Sequence, residues 1–260
     1  MIDTHCHLTF PRLIERAPDV IDGAARAGVG RMITVGTTPG DARACQVIAE
    51  ADERVWFTSG IHPHYINDVD ESAIGELVAL AADERCVAFG EMGVDYHYDD
   101  PPRADQHRMF AAQLEAVKAS GMDKPIVIHC RKAVDDTLAI IRESRIAGER
   151  FVFHCHTESP EECRKVLDLG AMISFTGIVT YKNAPEVRAS AELVPMERMM
   201  VETDAPFLAP EPHRKVRPNE PKYVMATARF LAELKGLSLG EFERVTDGNA
   251  ERFFGLSSVG

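Results

Sequence analysis

The sequence predicts an α/β fold: a closed parallel (β/α)8 TIM barrel with one extra C-terminal helix, in a single domain over residues 1–260. Three observations carry this reading. Short β-rich runs recur, each followed by a longer stretch with helical spacing and frequent Ala, Glu and Leu. Eight such units fit into about 250 residues, the usual size of this barrel. Nearly every polar group with metal-ligand chemistry ends a β-rich run, as in DTHCH, GIHPH, FGE, IHC, FHC and VETD. In a barrel those ends form one rim, where active sites are assembled from several strands.

The elements follow in order. A short apolar start gives a strand over Met1–Thr4, then helical spacing runs over Arg12–Ala27. Strands are expected at Arg31–Val35, Val55–Ser59 and Cys86–Gly90, separated by helices over Gly40–Asp52 and Glu71–Ala82. The helix Arg103–Ser120 leads to a strand over Pro125–His129, and the helix Ala133–Ile146 to a strand over Phe151–His154. PIVIHC and RFVFHC read as strands buried on both faces, the mark of a parallel sheet covered by helices. Helices over Pro160–Leu169 and Pro185–Leu193 flank a strand over Ala171–Phe175; a strand over Met199–Glu202 and helices over Pro221–Leu234 and Leu239–Phe254 complete the chain. A doubly wound open sheet is the alternative, but no GxGxxG turn follows the first strand.

Composition narrows the class. With 45% hydrophobic and 27% charged residues, no low-complexity tract and no apolar run long enough to span a bilayer, a soluble globular protein is expected. The N-terminus lacks the basic region and apolar stretch of a secretory signal. Six scattered cysteines without a CxxC pair suit reduced thiols and a cytoplasmic location. Cys130 and Cys155 each follow a histidine, so on strands they would turn away from it and pack as small apolar residues. The net charge of −12 excludes a broad basic surface for coating nucleic acid, yet two bound divalent ions would offset a third of it, and a local phosphodiester site remains open.

The HxH at the start of the chain sets the chemistry. On a strand, the period of two sends His5 and His7 to one face and Cys6 to the other. Across a barrel rim their partners are Glu91, His129, His154 and Asp204, giving four imidazoles and two carboxylates. Two divalent ions can share this set if Glu91 bridges them, one with His5, His7 and Asp204, the other with His129 and His154. Mixed nitrogen and oxygen ligands suit Zn²⁺, Mn²⁺, Co²⁺ or Fe²⁺ better than Ca²⁺, with Mg²⁺ possible at the carboxylate-rich position.

Around this set, His62 and His64 of GIHPH face one way if the segment is extended, as supports for the ligands or as contacts to substrate oxygens; a structural turn is the plainer role. Arg131 follows IHC, where its guanidinium can fork onto a phosphate oxygen or form an ion pair at a helix N-terminus. His213, Arg214, Lys215 and Arg217 make the one local cationic run after the eighth strand, either a funnel for a polyanion or a solvated face. Tyr96 and Tyr98 can stack on a base or sugar, or pack beneath their loop, and Asn249 is expected as a helix cap or a local hydrogen bond.

Taken in order, DTHCHL, GIHPH, GEMGVDYH, PIVIHCR, SFTGIVTYKNA, VETDAPFLAP, NEPKYV and GNAERFFGL resemble the TatD-type metal-dependent hydrolases over nearly the whole chain. The resemblance implies a (β/α)8 fold, a dinuclear centre and, for several members, deoxyribonuclease activity that removes nucleotides from a 3′ end. By position, His5, His7, Glu91, His129, His154 and Asp204 match the family's ligands, and His62 matches a histidine associated with the scissile phosphate. At HCHTES the chain departs: His156, Thr157 and Glu158 stand where many relatives carry an aromatic, a small hydroxyl residue and glycine. A carboxylate there would repel a phosphate.

The expected function is therefore phosphodiester hydrolysis of DNA or another phosphoester, with Glu91, Asp204 and His62 as catalytic residues, Asp204 as general base, and His62, His64 and Arg131 as substrate contacts. The same ligands permit hydrolysis of an ester or amide, such as a D-aminoacyl-tRNA, and a noncatalytic metal-binding scaffold is the third class. No membrane contact is expected, and a monomer is.

Overall fold

The computed structural model describes residues 1–70 and 72–256. Eight strands lie side by side in sequence order, every neighbouring pair parallel. They are β1 (Ile2–Cys6), β2 (Arg31–Val35), β3 (Val55–Ser59), β4 (Cys86–Asp95), β5 (Ile126–Arg131), β6 (Phe151–Phe153), β7 (Met172–Phe175) and β8 (Met199–Val201). Helices α1 (Ala17–Arg26), α2 (Pro39–Ala51), α3 (Ala73–Leu80), α4 (Arg103–Ser120), α5 (Val134–Ser144), α6 (Pro160–Leu169), α7 (Pro185–Leu193) and α8 (Val224–Leu234) follow the strands in turn, and α9 (Leu239–Phe254) comes last. The sheet closes on itself. Cys6 forms a parallel bridge with Ala205, the His7 N–H donates to the Ala205 carbonyl at 2.7 Å, and the Asp204 N–H donates to the His5 carbonyl at 2.9 Å. These contacts exclude the open doubly wound alternative.

Alternation along the strands builds two apolar layers, as a barrel covered by helices requires. Ile2, Ile33, Trp56, Val87, Val127, Val152, Met172 and Met200, one from each strand, pack together with Ala250 and Phe254 of α9. Met32, Phe57, Ile128, Phe153, Ile173 and Val201, the neighbours of those residues, belong instead to the cluster shared with the surrounding helices. Helix α9 thus plugs the N-terminal end of the barrel and leaves the C-terminal end for chemistry. Asn249 locks the plug: its side-chain amide donates to the carbonyls of Met196 and Met199 at 2.7 and 2.8 Å. The expected cap or local bond is replaced by a long-range tie from the middle of α9, where Asn249 is buried.

Helices with strong end signals start and stop where the sequence places them. Capping boxes, Ser159 with Glu162 and Ser238 with Glu241, open α6 and α9, and Gly121 in the left-handed region closes α4. Helix α1 begins at Ala17 rather than Arg12, because a 3-10 turn over Ile14–Arg16 precedes it and Arg12 itself has φ 75°. In the α3 region, the expected first residue, Glu71, lies outside the described residues.

The largest departure is β4, which runs to Asp95 instead of ending at Gly90. Gly90 and Gly93 have φ of +112° and +148°, and a Cβ on Gly93 would stand 2.0 Å from the His129 carbonyl oxygen. Glycine there is not a strand breaker. It lets β4 approach β5 through the register shift between Phe89 and Met92, at the point where Glu91 enters the barrel. Among the described residues, no helix is long and apolar enough to cross a membrane.

Candidate metal centre

The HxH does what a period of two requires. His5 lies on β1 with His7 just beyond its end, their Nε2 atoms 3.3 Å apart, while the Cys6 thiol turns away and donates to the Ile33 carbonyl. His129 lies on β5 with the Cys130 side chain turned into the core. His154 follows β6, and Asp204 follows β8 in the left-handed region with φ 54°, pinned by its N–H to the His5 carbonyl. All six residues named as ligands meet at the C-terminal mouth. Cys155 does not share the fate of Cys130: with φ 46° it leaves the strand geometry and lines the cleft.

Glu91 stands at the centre, 1% exposed, with its two oxygens divided. Oε2 lies 3.3 Å from His5 Nε2 and 3.9 Å from His7 Nε2, and Asp204 Oδ1 completes that side at 3.3 Å from His7 Nε2 and 3.8 Å from His5 Nε2. Oε1 lies 2.7 Å from His129 Nδ1, 2.6 Å from His154 Nε2 and 3.5 Å from His62 Nε2. Ligands at about 2.0–2.2 Å from a tetrahedral ion are separated by roughly 3.3–3.6 Å. On the His5 side the pairs His5–His7, His5–Glu91 and His7–Asp204, each at 3.3 Å, match, whereas Glu91 Oε1 stands closer than this to His129 and His154. Among the described residues, three overlapping groups could hold an ion: His5 with His7 and Asp204, His5 with Glu91 and His154, and His62 with Glu91 and His129. His62 therefore stands closer to the ligand set than the sequence suggested, and His154 stacks on His5 with ring centroids 4.0 Å apart.

Outer groups orient the rings of His7, His129 and His154. His7 Nδ1 donates to the Val35 carbonyl at 3.2 Å, freeing Nε2 for the site. His129 donates from Nε2 to Asp95 Oδ2 at 2.9 Å, so Nδ1 faces Glu91. His154 turns Nδ1 toward Glu202 Oε1 at 3.4 Å and Nε2 inward. Such carboxylate and carbonyl supports are usual behind metal-bound imidazoles. His62 differs: Nδ1 accepts from the His64 N–H at 3.0 Å, which leaves the ring proton on Nε2.

Electrostatics point the same way. Burial works against the charge on Glu91, but His154, His62 and His5 around it hold its carboxyl well below the ordinary range. Asp204 is likewise lowered, burial being outweighed by His7. Burial also opposes protonation of His7, His129 and His154, yet Asp204 beside the first, Asp95 and Glu91 beside the second and Glu91 and Glu202 beside the third raise all three; His5 and His62 are lowered by burial. A buried, stacked pair such as His5 and His154 is poorly placed to carry two protons, and the buried Nδ1 of His5 has no hydrogen-bond partner. A divalent cation fits the chemistry of this donor set, with Glu91 Oε1 moving outward from His129 and His154 to admit one on that side.

Above the centre opens a cleft of about 950 Å³. His64 lines it, with Nε2 held by Asp95 Oδ2 at 2.9 Å. Arg131 is at the end of β5 with its guanidinium 6.0 Å from the Tyr98 ring, and Tyr98 is exposed on the same wall. Tyr96 packs instead: its hydroxyl donates to Asp136, and Arg103 covers the ring at 4.0 Å. His213, Arg214, Lys215 and Arg217 do not line the cleft; Arg214 reaches it only by covering Tyr181 at 4.1 Å. Glu158 does line it, but Oε1 accepts the Lys132 N–H at 2.8 Å, which gives the atypical HTES segment a structural partner.

Two buried carboxylates escaped the sequence reading. Asp95 was cut off by ending β4 at Gly90, although Glu91, Gly93 and Asp95 share a face by the period of two. Glu202 ends the strand expected over Met199–Glu202. It accepts the Cys155 N–H at 2.7 Å and the Ser174 hydroxyl at 2.6 Å, a cross-strand network with no local signature.

Comparison with known proteins agrees with this geometry. The chain is 39% identical over 262 residues to the metal-dependent hydrolase YcfH of Escherichia coli K12, covering 99% of this chain and 97% of the relative. It is 32% identical over 266 residues to the 3′-5′ ssDNA/RNA exonuclease TatD of Klebsiella pneumoniae strain 342, covering both in full. The solved structure of the TatD homologue YJJV of E. coli K12 superposes with a TM-score of 0.92 at 25% identity, covering 99% of this chain and 98% of that one. These matches set aside the noncatalytic scaffold. The family model for TatD related DNase matches residues 2–255, and the chain belongs to the TatD family of metal-dependent hydrolases.

Proposed function

We propose that this TatD-family hydrolase is a deoxyribonuclease that removes nucleotides from the 3′ end of DNA at a dinuclear centre. The observation that carries it is the division of Glu91, with Oε2 toward His5 and His7 and Oε1 toward His129 and His154. Two divalent ions bound there would supply a water of lowered pKa and positive charge against the phosphoryl oxygens. His5, His7 and Asp204 would hold one ion and His129 and His154 the other, with Glu91 shared.

The chain's own groups do the rest. The Asp204 carboxylate, kept ionised beside His7, accepts the proton of the attacking water. His62 carries its proton on Nε2 and donates it to a phosphate oxygen as a hydrogen bond, which its buried neutral ring can do without a second charge. Arg131 offers a forked donor at the edge of the cleft, and His64, with its Nε2–H given to Asp95, offers Nδ1 as an acceptor for a substrate hydroxyl. The six free cysteines support a reducing, cytoplasmic compartment.

The test uses metal-stripped protein reconstituted separately with Mg²⁺, Mn²⁺ and Zn²⁺ and end-labelled single-stranded DNA, with Glu91→Gln as control. Metal-dependent release of mononucleotides from the 3′ end, abolished in the control, is the expected result. Two metals bound per chain with no shortening of DNA would overturn the nuclease reading and move the search to ester and amide substrates, an aminoacyl-tRNA among them.

A further inference from the structure

Opposite the wall of Tyr98 and Arg131, the cleft is bounded by two phenyl rings, Phe10 and Phe207. They meet edge to face, with centroids 5.0 Å apart and planes at 80°, and stand 6.1 and 6.5 Å from the His7 ring. Phe207 is 43% exposed, one of four large hydrophobic side chains so uncovered among the described residues. Its backbone is not loose. The Phe207 N–H donates to the Asp204 carbonyl at 2.9 Å, and the amide of Asn219, itself fully buried, donates to the Phe207 carbonyl. The fold therefore fixes an apolar ring in water, three residues from Asp204, and braces it with a second ring.

We infer that Phe207, backed by Phe10, is a stacking platform for a nucleobase next to the scissile phosphate. The assignment rests on the nuclease reading and gives it a subsite. A phosphate at the His7 and Asp204 side of the centre carries its sugar and base within one nucleotide's reach, and the surface there is aromatic and uncharged. Glu158 and Glu186, by contrast, put carboxylates elsewhere on the cleft wall. Stacking on a bare phenyl ring tolerates any base, because every base has a π-face and no hydrogen-bonding group of Phe10 or Phe207 reads its edge. The platform therefore selects substrates that carry planar rings without selecting a sequence.

The experiment compares wild type with Phe207→Ala and Phe207→Trp on single-stranded DNA, either intact or with an abasic tetrahydrofuran residue at the terminal or the penultimate 3′ position. Phe207→Ala is expected to lower kcat/KM about 10-fold on intact DNA but less than about 2-fold on one of the two abasic strands, and Phe207→Trp to retain activity. Equal losses on intact and both abasic strands would overturn the platform. Binding provides a readout that needs no turnover. With EDTA present, an oligonucleotide carrying 2-aminopurine at the same positions should be quenched by wild type and not by Phe207→Ala. If no DNA is shortened, the nuclease reading fails, while quenching that depends on Phe207 still upholds the platform; quenching by neither protein, or by both, overturns it.

Discussion

Asp95 Oδ2 lies 2.9 Å from His129 Nε2, on the far side of the ring from the nitrogen that faces Glu91. The same oxygen takes His64 Nε2 at 2.9 Å, and Oδ1 accepts the His97 N–H at 2.7 Å. One buried carboxylate thus sets the tautomer of His129 and the place of His64. Replacing Asp95 with Asn should weaken metal binding at the His129 side by roughly 10- to 100-fold. Metal titration monitored by calorimetry checks this, and unchanged affinity would remove the role given to Asp95.

Metal removal should leave the barrel folded but less stable. The apolar clusters on both sides of the strands do not involve the six ligands, apart from chain neighbours such as Cys6 and Cys130. At a free metal concentration 100 times the dissociation constant, one bound ion adds about 2.7 kcal/mol. For a chain of this size that corresponds to a rise in Tm of roughly 5–10 °C. Thermal unfolding with and without EDTA reads it; an apo protein lacking a cooperative transition would show that the metal builds the fold.

Asn249 offers a test far from the cleft. Its amide satisfies two carbonyls at the start of β8, and Asn249→Ala leaves both without that donor. A loss of about 1–3 kcal/mol in stability is expected, with kcat of the metal-loaded enzyme unchanged. Urea unfolding measures the first and a turnover assay the second. A stable variant would mean that water replaces the amide.

His156 predicts a pH effect. Burial pushes its imidazole down to about 4, below the 6.5 of an exposed ring, so folding must keep it neutral. The stabilising contribution is complete above pH 6.5 and is lost as pH falls toward 4, a change of about 3 kcal/mol. In metal-stripped protein, His156→Phe, whose ring can keep the edge contact to Phe175, should lose less stability than wild type between pH 7 and pH 4. Parallel losses in the two proteins would refute it.

The residues that proved legible are those whose signal is local. Helices α6 and α9 have the bounds that helical spacing gives them, and DTHCH carries a strand period that places two imidazoles together. What stayed hidden depends on partners distant in the chain. The reach of β4 to Asp95 follows from close approach to β5, which the glycines at 90 and 93 permit and which reads locally as a break. Glu202 is recognisable only once Thr4, Cys155 and Ser174 are seen around it.

The bridge from Cys6 to Ala205 has a consequence for how the protein is made. His5 and His7 leave the ribosome nearly two hundred residues before Asp204, and the rim that joins them exists only when β8 has docked on β1. A nascent chain carries five of the six ligands without a completed site. The candidate centre is therefore incomplete until β8 has been made and has docked on β1, and the last strand of the barrel acts as the step that assembles it.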